Sequence, residues 1–453
     1  MSDELLIIGG GFAGLTAGVE LARQGRRVRL LEQKPFLGGR ARSFVDPVSG
    51  SVVDNGQHLI MGCYHATIRF LETIGTLDRI RFQPKLRLDF LDRGGRRTAL
   101  QAEKLPAPWH LLVGVLRSRS LSLREKFQVL RLGRWLDSGQ DSRDGTGNQT
   151  VEAWLSRHGQ SESLQRNFWD LLCIAAMNED PRIAASSLFE RVLRLALFSS
   201  PEDSRLGIAR VGLSECYAEA AAKYIETRGG KVECSRNVTS LCISEGACRG
   251  AALAGGETIE ASTVISTVPW HRLALLLPPD LIRNEPFFGA PLALRPAPII
   301  SISFWFDRPV TDLEFAGLRG TSIQWLFNKG KILCSGQNYV SLVLSGAHDH
   351  IARPKEELSQ VALRELGELL PEARAARLEH SLVIKERFAT FSPSWEAEQV
   401  RPRARTPVRG LVLAGDWTAT GLPATIEGAV QSGYTAAQEV LGDSANQPEE
   451  RLI

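Results

Sequence analysis

The sequence predicts an α/β protein with a Rossmann-like dinucleotide-binding domain that is discontinuous along the chain. A strand, a glycine-rich turn and a helix open the chain, and a buried strand ending in Gly415-Asp416 leads into a helix near its other end. Between these two units, helical periodicity gives way to short alternating strands. This pattern predicts an inserted helical region and an inserted, mostly antiparallel β domain.

The bulk composition is that of a globular protein with more than one lobe. The chain has 453 residues, of which 43% are hydrophobic, and its net charge of +3 gives no reason to expect nucleic acid as a partner. Seven cysteines without a Cys-x-x-Cys pair predict free thiols and no metal site. The early first strand leaves no room for a signal peptide, and no apolar run could span a bilayer. We therefore expect a cytoplasmic protein.

The first unit combines every feature of a dinucleotide site. The apolar run Leu5 to Ile8 enters Gly9-x-Gly11-x-x-Gly14, a helix follows, and a second apolar run ends at Glu32. Gly9 permits the tight turn, Gly11 lets the backbone approach a pyrophosphate, and Gly14 lets helix and strand pack closely. Glu32 can accept a hydrogen bond from a ribose hydroxyl. The residues predicted to contact the dinucleotide here are Gly9, Gly11, Phe12, Ala13, Gly14, Glu32 and Gln33.

Two stretches after Glu32 are predicted to lie beside the same ligand. Gly38-Gly39-Arg40 can wrap the pyrophosphate from its second side, with charge supplied by Arg40, although in isolation the glycine pair could form a simple surface turn. A predicted hairpin then leads into the polar stretch Asp54 to Tyr64, which includes Gly56, Gln57 and His58. We interpret it as a loop beside the cofactor. His58 alone could equally be a structural histidine.

The unit near the end of the chain identifies the dinucleotide. A buried strand ends in Gly415-Asp416, and a helix begins after Pro423. Asp416 can accept a hydrogen bond from a polyol, and the helix start can stabilise negative charge that develops on a ring. A flavin has both groups, whereas a nicotinamide dinucleotide has no ribityl chain. The predicted cofactor is therefore FAD, with further contacts from Gly415, Asp416, Thr425 and Ile426. The alternative is a βα unit without a ligand.

The pattern divides the chain into six segments. Ile299 to Phe306, Ser322 to Phe327, Lys331 to Cys334 and Val340 to Leu344 are predicted to form an antiparallel sheet. The predicted segments are three FAD-binding parts (1–78, 208–272 and 399–453), substrate-domain strands (79–105), a helical region facing substrate or membrane (106–207) and a substrate-binding β domain (273–398).

The helical region contains a candidate membrane surface. The stretch Trp109 to Leu116 is apolar apart from His110, and six basic residues follow it. These basic residues are Arg117, Arg119, Arg124, Lys126, Arg131 and Arg134. Such a patch suits anionic lipid headgroups. An ordinary solvated helix face is the alternative.

These motifs resemble the flavoproteins of the phytoene desaturase and amine oxidase superfamily. The glycine turn, Glu32, Gly38-Gly39-Arg40 and Gly415-Asp416 fall where that superfamily has them, so the resemblance spans the chain. It implies that the backbone of Val238 lies against the adenine. It also implies that the β domain around 295–395 covers the flavin ring.

Within the superfamily, two stretches resemble the hydroxysqualene dehydroxylase family. They are Asp54 to Gly75 and Ala414 to Ala429, and carotene desaturases carry related versions of both. The resemblance implies an enzyme of hopanoid synthesis, peripheral to the inner membrane, that replaces the allylic hydroxyl of the C30 isoprenoid hydroxysqualene with hydrogen. A phytoene or dehydrosqualene desaturase and a non-catalytic prenyl-binding protein on the same fold are the alternatives. The sequence does not distinguish a monomer from a homo-oligomer.

The implied reaction needs an acid, because hydroxide is a poor leaving group. His58 is the first candidate, since a histidine pKa of about 6.5 suits proton donation near neutrality. Gln57 could orient the hydroxyl. Glu427 is a second candidate acid if its helix points it inward, although a glutamate at a helix start more often complements the helix dipole.

Overall fold

A five-stranded parallel sheet forms the centre of the nucleotide-binding part of the molecule. The computed structural model describes residues 5–138 and 148–445. Within this sheet, Leu5–Ile8 pairs in parallel with Val28–Leu31 on one side and Val264–Ser266 on the other. In order across the sheet, the strands are Lys231–Glu233, Val28–Leu31, Leu5–Ile8, Val264–Ser266 and Leu411–Leu413. Strands from distant parts of the chain meet here, and the predicted α/β fold is confirmed.

Both faces of this sheet are covered, as a parallel sheet requires. Phe12–Arg23, Leu213–Glu226 and Ile426–Ala445 pack on one face around a common apolar core. A Cβ atom at Gly433 would lie 2.4 Å from the carbonyl oxygen of Ala13, so this glycine allows the first and last helices to approach closely. The opposite face packs on a three-stranded antiparallel sheet. Its strands are Val238–Ser244, Ala247–Leu253 and Thr258–Glu260.

A seven-stranded sheet forms the second layer of the molecule. Its pairings are antiparallel except for the parallel pair Arg87–Asp92 and Phe315–Leu318. In order, the strands are Leu378–Phe391, Pro296–Phe306, Tyr339–Ser345, Trp325–Asn328, Phe315–Leu318, Arg87–Asp92 and Arg96–Gln101. Successive side chains point to opposite faces. The outer face packs on helix Lys355–Leu369, and the inner face looks toward the parallel sheet and the helical region.

One predicted strand of this sheet is wrong. Lys331 to Cys334 was expected to be extended, but the chain forms a short helix at Lys329–Ile332. The side chain of Asn328 caps this helix by accepting a hydrogen bond from the backbone N–H of Lys331 at 3.1 Å. A local side-chain cap therefore overrides the apolar pattern.

The helical region lies against the inner face of the seven-stranded sheet. Ser122 and Glu125 form a capping box at the start of Leu123–Asp137, as both side chains satisfy N–H groups of the first turn. The helices among the described residues from 109 to 197 are Trp109–Arg117, Leu123–Asp137, Val151–Arg157, Glu162–Leu164, Gln165–Trp169 (a π-helix), Asp170–Met177 and Ser186–Leu197. Among the described residues, no helix is long and apolar enough to cross a membrane.

Short elements connect these layers. The remaining strands are Ser43–Val45 paired with Val52–Asp54, and Leu206–Ala209 paired with both Leu59–Met61 and Ile80–Phe82. The remaining helices are His65–Thr73, Leu77–Arg79, Trp270–Leu273, Pro279–Asn284, Pro286–Gly289, Ala290–Ala293, Pro371–Ala375 and Trp395–Val400. The hairpin Ser43–Asp54 matters most for the site, because it leads directly into Asn55 to His58.

Candidate active site

A cavity of about 2020 Å³ runs between the parallel sheet, the inner face of the seven-stranded sheet and the helical region. All of the predicted site residues line it except Gly14. They are Gly9, Gly11, Phe12, Ala13, Glu32, Gln33, Gly39, Arg40, Gly56, Gln57, His58, Val238, Gly415, Asp416, Thr425, Ile426 and Glu427. Residues from both ends of the chain therefore face the same space.

The glycine turn shapes one end of this cavity. Gly9 has φ +111°, and a Cβ atom there would lie 2.5 Å from Oγ1 of Thr267. A Cβ at Gly14, which packs behind the turn, would lie 2.0 Å from the carbonyl oxygen of Gly9. No described side chain caps Gly11 at the start of helix Phe12–Arg23. The first N–H groups of that helix are therefore available to an anion such as a pyrophosphate.

Glu32 is held under the turn by backbone donors. Its carboxylate accepts hydrogen bonds from the N–H groups of Gly10 and Lys34, both at 2.8 Å. Each oxygen keeps a lone pair for a ribose hydroxyl. Gln33 and Val238 also line the cavity, and this end would suit the adenosine of a dinucleotide.

Arg40 and Asp416 form an ion pair farther along the cavity. Nη2 of Arg40 donates to Oδ1 of Asp416 at 2.6 Å, and Nη1 donates to the carbonyl oxygen of Ala389 at 2.7 Å. Burial disfavours the charged guanidinium, but the pairing with Asp416 outweighs it and raises the pKa of Arg40. The pair joins the second glycine turn (Gly38-Gly39-Arg40) to the last strand–helix unit, although the two residues are 376 positions apart.

The segment after Asp416 is held by Arg401, for which the sequence carries no local signal. The Arg401 side chain is fully buried. It donates to the carbonyl oxygens of Asp416 at 3.0 Å and Leu422 at 2.9 Å, and to Oγ1 of Thr420 at 2.9 Å. It also donates to the carbonyl oxygens of Trp417 and Thr418. A single cation therefore orders the loop from 416 to 422.

Gly415 and Thr425 complete this end of the site. Gly415 has φ +141°, and a Cβ atom there would lie 2.5 Å from Nε1 of Trp417. Oγ1 of Thr425 accepts from the N–H of Gly428 at 3.0 Å, which places Thr425 at the start of helix Ile426–Ala445. The start of this helix faces the cavity. The positive end of its dipole can therefore stabilise a bound group that gains negative charge.

His58 lines the cavity together with Gly56 and Gln57. Burial lowers the pKa of the His58 imidazole, and the charges of Arg40 and Lys329 lower it further, whereas Asp54 acts in the opposite direction. The imidazole is therefore predominantly neutral near pH 7. Its conjugate acid is a stronger proton donor than a solvated imidazolium, but it is populated less often.

The carboxylate of Glu427 accepts four hydrogen bonds. The N–H groups of Ala66 and Thr67 donate to it at 3.0 and 2.9 Å, and Oγ1 of Thr67 donates at 2.7 Å. Nε2 of Gln431 adds a fourth hydrogen bond at 3.0 Å. Glu427 therefore caps helix His65–Thr73 from a distant helix, and this favours a positioning role over proton donation.

The rest of the cavity is an apolar chamber between the helical region and the inner face. Six of its larger lining side chains are Leu112, Phe168, Trp169, Phe189, Trp325 and Phe327. The chamber is continuous with the polar end that holds Arg40, His58 and Asp416. A long hydrocarbon can therefore reach the polar end without leaving apolar surroundings.

The polar end fits a flavin dinucleotide. Uncapped helix amides and Arg40 suit a pyrophosphate, Glu32 suits a ribose, and Asp416 with the start of helix Ile426–Ala445 suits a ribityl chain and a ring. In the described part of the chain, no group of three or more His, Cys, Asp or Glu side chains could hold a metal ion. The fold and the site together define a flavin-dependent oxidoreductase.

Comparison with known proteins agrees with this class. The model of the family "Flavin containing amine oxidoreductase" matches residues 12–441, and the chain belongs to that family. It is 31% identical to the hydroxysqualene dehydroxylase of Rhodopseudomonas palustris, over 97% of this chain and 99% of the relative. It is 25% identical to the 15-cis-phytoene desaturase of Solanum lycopersicum, over 97% of this chain and 78% of the relative.

A solved structure shows the same fold. An oxidoreductase from Methanosarcina mazei superposes with a TM-score of 0.74 at 16% sequence identity, and the match covers 97% of this chain and all of that one. The resemblance to hydroxysqualene dehydroxylases inferred from the two motif stretches is confirmed by the named relative.

Proposed function

We propose that the protein is an FAD-dependent hydroxysqualene dehydroxylase that converts hydroxysqualene to squalene in hopanoid synthesis. The observation that carries this proposal is that an apolar chamber and the polar end lined by Arg40, His58 and Asp416 form one continuous cavity. The named relative from Rhodopseudomonas palustris supports the substrate. A hydride from the reduced cofactor and a proton convert hydroxysqualene to squalene and water, and leave the cofactor oxidised.

FAD accounts for the site better than a flavin mononucleotide. The mononucleotide has no adenosine, so Glu32, Gln33 and Val238 would face an empty part of the cavity. Mass spectrometry of the cofactor released from the purified protein tests this point. Release of a mononucleotide would contradict it.

The bound cofactor, when reduced, supplies the hydride that replaces the hydroxyl. We assign His58 as the group that protonates the leaving hydroxyl and Gln57 as the group that orients it, because both line the cavity and the charge of Arg40, at its polar end, acts on the His58 imidazole. Glu427 supports this corner by capping helix His65–Thr73. The apolar chamber excludes water, which would otherwise recapture the allylic cation.

A turnover experiment tests the reaction. Purified protein loaded with FAD and reduced under anaerobic conditions is mixed with hydroxysqualene, and the products are separated by gas chromatography. We expect squalene from the wild type and a large loss of squalene from His58→Ala with the flavin still bound. Near-normal turnover of that variant would remove His58 as the acid.

The same experiment separates the alternative functions. Conversion of phytoene or dehydrosqualene by the oxidised protein, with no squalene from hydroxysqualene, would indicate a desaturase. Protein that binds a prenyl chain but purifies without flavin absorbance would indicate a non-catalytic binding protein.

The substrate itself favours a location at the inner membrane. Transfer of roughly thirty carbons from lipid to water costs on the order of 20 kcal/mol, so hydroxysqualene stays in the bilayer. The helical region carries exposed apolar and basic side chains next to the chamber. This docking surface consists of Leu105, Trp109, Leu116, Leu123 and Phe127 with Arg119, Arg124, Arg131 and Arg134. Its composition suits an anionic bilayer.

Flotation with anionic vesicles tests this surface. Leu123 and Phe127 are 85% and 68% exposed and do not line the chamber, so Leu123→Asp with Phe127→Asp changes the surface and leaves the cavity intact. We expect the wild type to float and the double variant to remain in solution. A matched pair of substitutions at exposed Leu275 and Leu292, on another part of the surface, should have no effect. Equal binding of both variants and the wild type would contradict the assignment.

A further inference from the structure

A buried ion pair lies next to the segment that carries His58. Nζ of Lys329 donates to Oδ2 of Asp54 at 2.7 Å, and the two side chains are only 4% and 3% exposed. Burial of two charges is costly, so such a pair needs good geometry and further hydrogen bonds. The sequence gives no sign of it, because the two residues are 275 positions apart.

Asp54 has the further hydrogen bonds that its burial requires. Its Oδ1 accepts from Oγ of Ser43 at 2.9 Å and from the N–H of Leu213 at 3.0 Å. Leu213 is the first residue of helix Leu213–Glu226, so the negative charge also lies at the positive end of a helix dipole. These contacts fix the carboxylate, and Lys329 is its cationic partner.

The pair connects two walls of the cavity. Lys329 directly follows strand Trp325–Asn328, whose Trp325 and Phe327 line the apolar chamber. Asp54 ends the hairpin and precedes His58 by one short loop. The ion pair therefore ties the wall that contacts the hydrocarbon to the loop that carries the imidazole.

Three charged groups act on His58 from three different elements. Asp54 lies on its own segment, Arg40 on the second glycine turn and Lys329 on the short helix after the chamber wall. The two cations oppose protonation of the imidazole, and Asp54 favours it. Lys329 offsets the charge of Asp54, so the ion pair determines how strongly the two opposing effects on the protonation of His58 are felt.

We propose that Lys329 is a positioning residue which, through Asp54, fixes the His58 loop against the chamber wall and controls the protonation of His58. The proposal rests on the proposed function only in giving His58 a catalytic role. The titration of His58 can be measured without substrate, so the two ideas fail separately.

The test uses the FAD-loaded protein labelled with ¹⁵N-histidine and followed by NMR from pH 4 to pH 8. The His58 signal is assigned by its absence from His58→Gln. Lys329→Met leaves Asp54 unpaired, so the pKa of His58 should rise by about one pH unit, whereas Asp54→Asn should lower it by a similar amount. A purely structural role would move neither value, or both in the same direction, and either result would overturn the proposal.

Two further variants keep the test decisive. Lys329→Met combined with Asp54→Asn removes both charges, avoids an unpaired buried ion and should bring the titration between those of the single variants. This double variant serves if a single variant does not fold, and a displacement of about one pH unit or more from the wild-type titration would contradict the proposal. Lys385→Met is the matched control, since Nζ of Lys385 donates to backbone carbonyls of Ile351 and Arg353 and does not act on His58. It should leave the titration unchanged.

Discussion

At the scale of single residues, Glu427 shows how a charged side chain beside a cavity can be used for structure. A carboxylate that accepts from four donors satisfies the first N–H groups of helix His65–Thr73 and complements its dipole. The helix that carries Glu427 begins at the flavin end of the cavity. The cap therefore joins two elements that both border the site.

Glu427→Gln should lower the free energy of unfolding by about 1–3 kcal/mol, because an amide offers one acceptor oxygen and points two N–H donors at existing donors. Urea denaturation of the flavin-loaded protein measures this change. Glu72→Gln, an exposed substitution on the capped helix, should stay within about 0.5 kcal/mol of the wild type. Loss of squalene formation without loss of stability would instead make Glu427 the acid.

His271 is a second residue whose buried environment should have a measurable effect, here on the pH dependence of stability. Its ring stacks on Phe388 with centroids 4.2 Å apart, and its Nδ1 is buried without a hydrogen-bond partner among the described residues. Burial, with the nearby charges of Arg40 and Arg272, lowers the pKa of His271 to about 4. The folded protein therefore holds His271 neutral where the unfolded chain protonates it.

Since the folded pKa lies below the unfolded value of about 6.5, the stability contributed by neutral His271 is complete above pH 6.5 and is lost as the pH falls toward 4. Between pH 7 and pH 5, the wild type should lose no more than about 2 kcal/mol through this group. His271→Gln should lose correspondingly less over the same range, measured by urea denaturation at both pH values. Parallel pH dependences of the two proteins would show that His271 is not held neutral.

At the scale of elements, the loop from 416 to 422 depends on Arg401. Its planar guanidinium reaches several carbonyl oxygens at once, and no other common side chain offers five donors in one plane. The loop carries Asp416, so the order of this segment decides whether the flavin end of the site exists before the cofactor binds.

Arg401→Met should weaken FAD binding by more than about tenfold, because the loop loses its donors and Asp416 is no longer held in place. Arg401→Lys should fall between this variant and the wild type. Fluorescence titration of the apoprotein with FAD measures the dissociation constants. Arg308→Met, which removes an exposed arginine paired with Asp307, is the control and should bind FAD normally. Normal FAD binding by Arg401→Met would contradict the role of Arg401 in holding the loop from 416 to 422.

At the scale of the whole molecule, the cavity lies between the parallel sheet and the seven-stranded sheet. Two hydrogen bonds tie the hairpin Ser43–Asp54 to the seven-stranded sheet. Nε1 of Trp305 donates to Oγ of Ser51 at 2.8 Å, and the hydroxyl of Tyr339 donates to the carbonyl oxygen of Val52 at 2.6 Å. Arg40 makes a similar connection through Ala389. A cofactor bound between the layers adds contacts to the folded state alone.

FAD should therefore stabilise the whole protein by mass action. At a free concentration one hundred times its dissociation constant, FAD should raise the free energy of unfolding by about 2.7 kcal/mol. Denaturation of the apoprotein across a series of FAD concentrations measures the increase. Asp416→Asn should need more FAD for the same increase. Unfolding that is independent of FAD would contradict a site built between the two layers.

The sequence was sufficient for the features that depend on local backbone conformation. The positive φ values of Gly9 and Gly415, the buried strands beside them and the helices that follow leave signals within a few residues. The predicted strand from Lys331 to Cys334 also relied on a local pattern. It was wrong because the Asn328 cap outweighed that short apolar pattern.

The tertiary structure alone decided which distant side chains meet. The pairs Lys329–Asp54 and Arg40–Asp416 join segments hundreds of residues apart, and the role of Glu427 depends on a helix near the other end of the chain. In a sequence, a lysine or arginine that will be buried looks the same as one that will be solvated. The difference arises only when folding brings an opposite charge or a set of carbonyl oxygens to it, and no local pattern encodes that encounter.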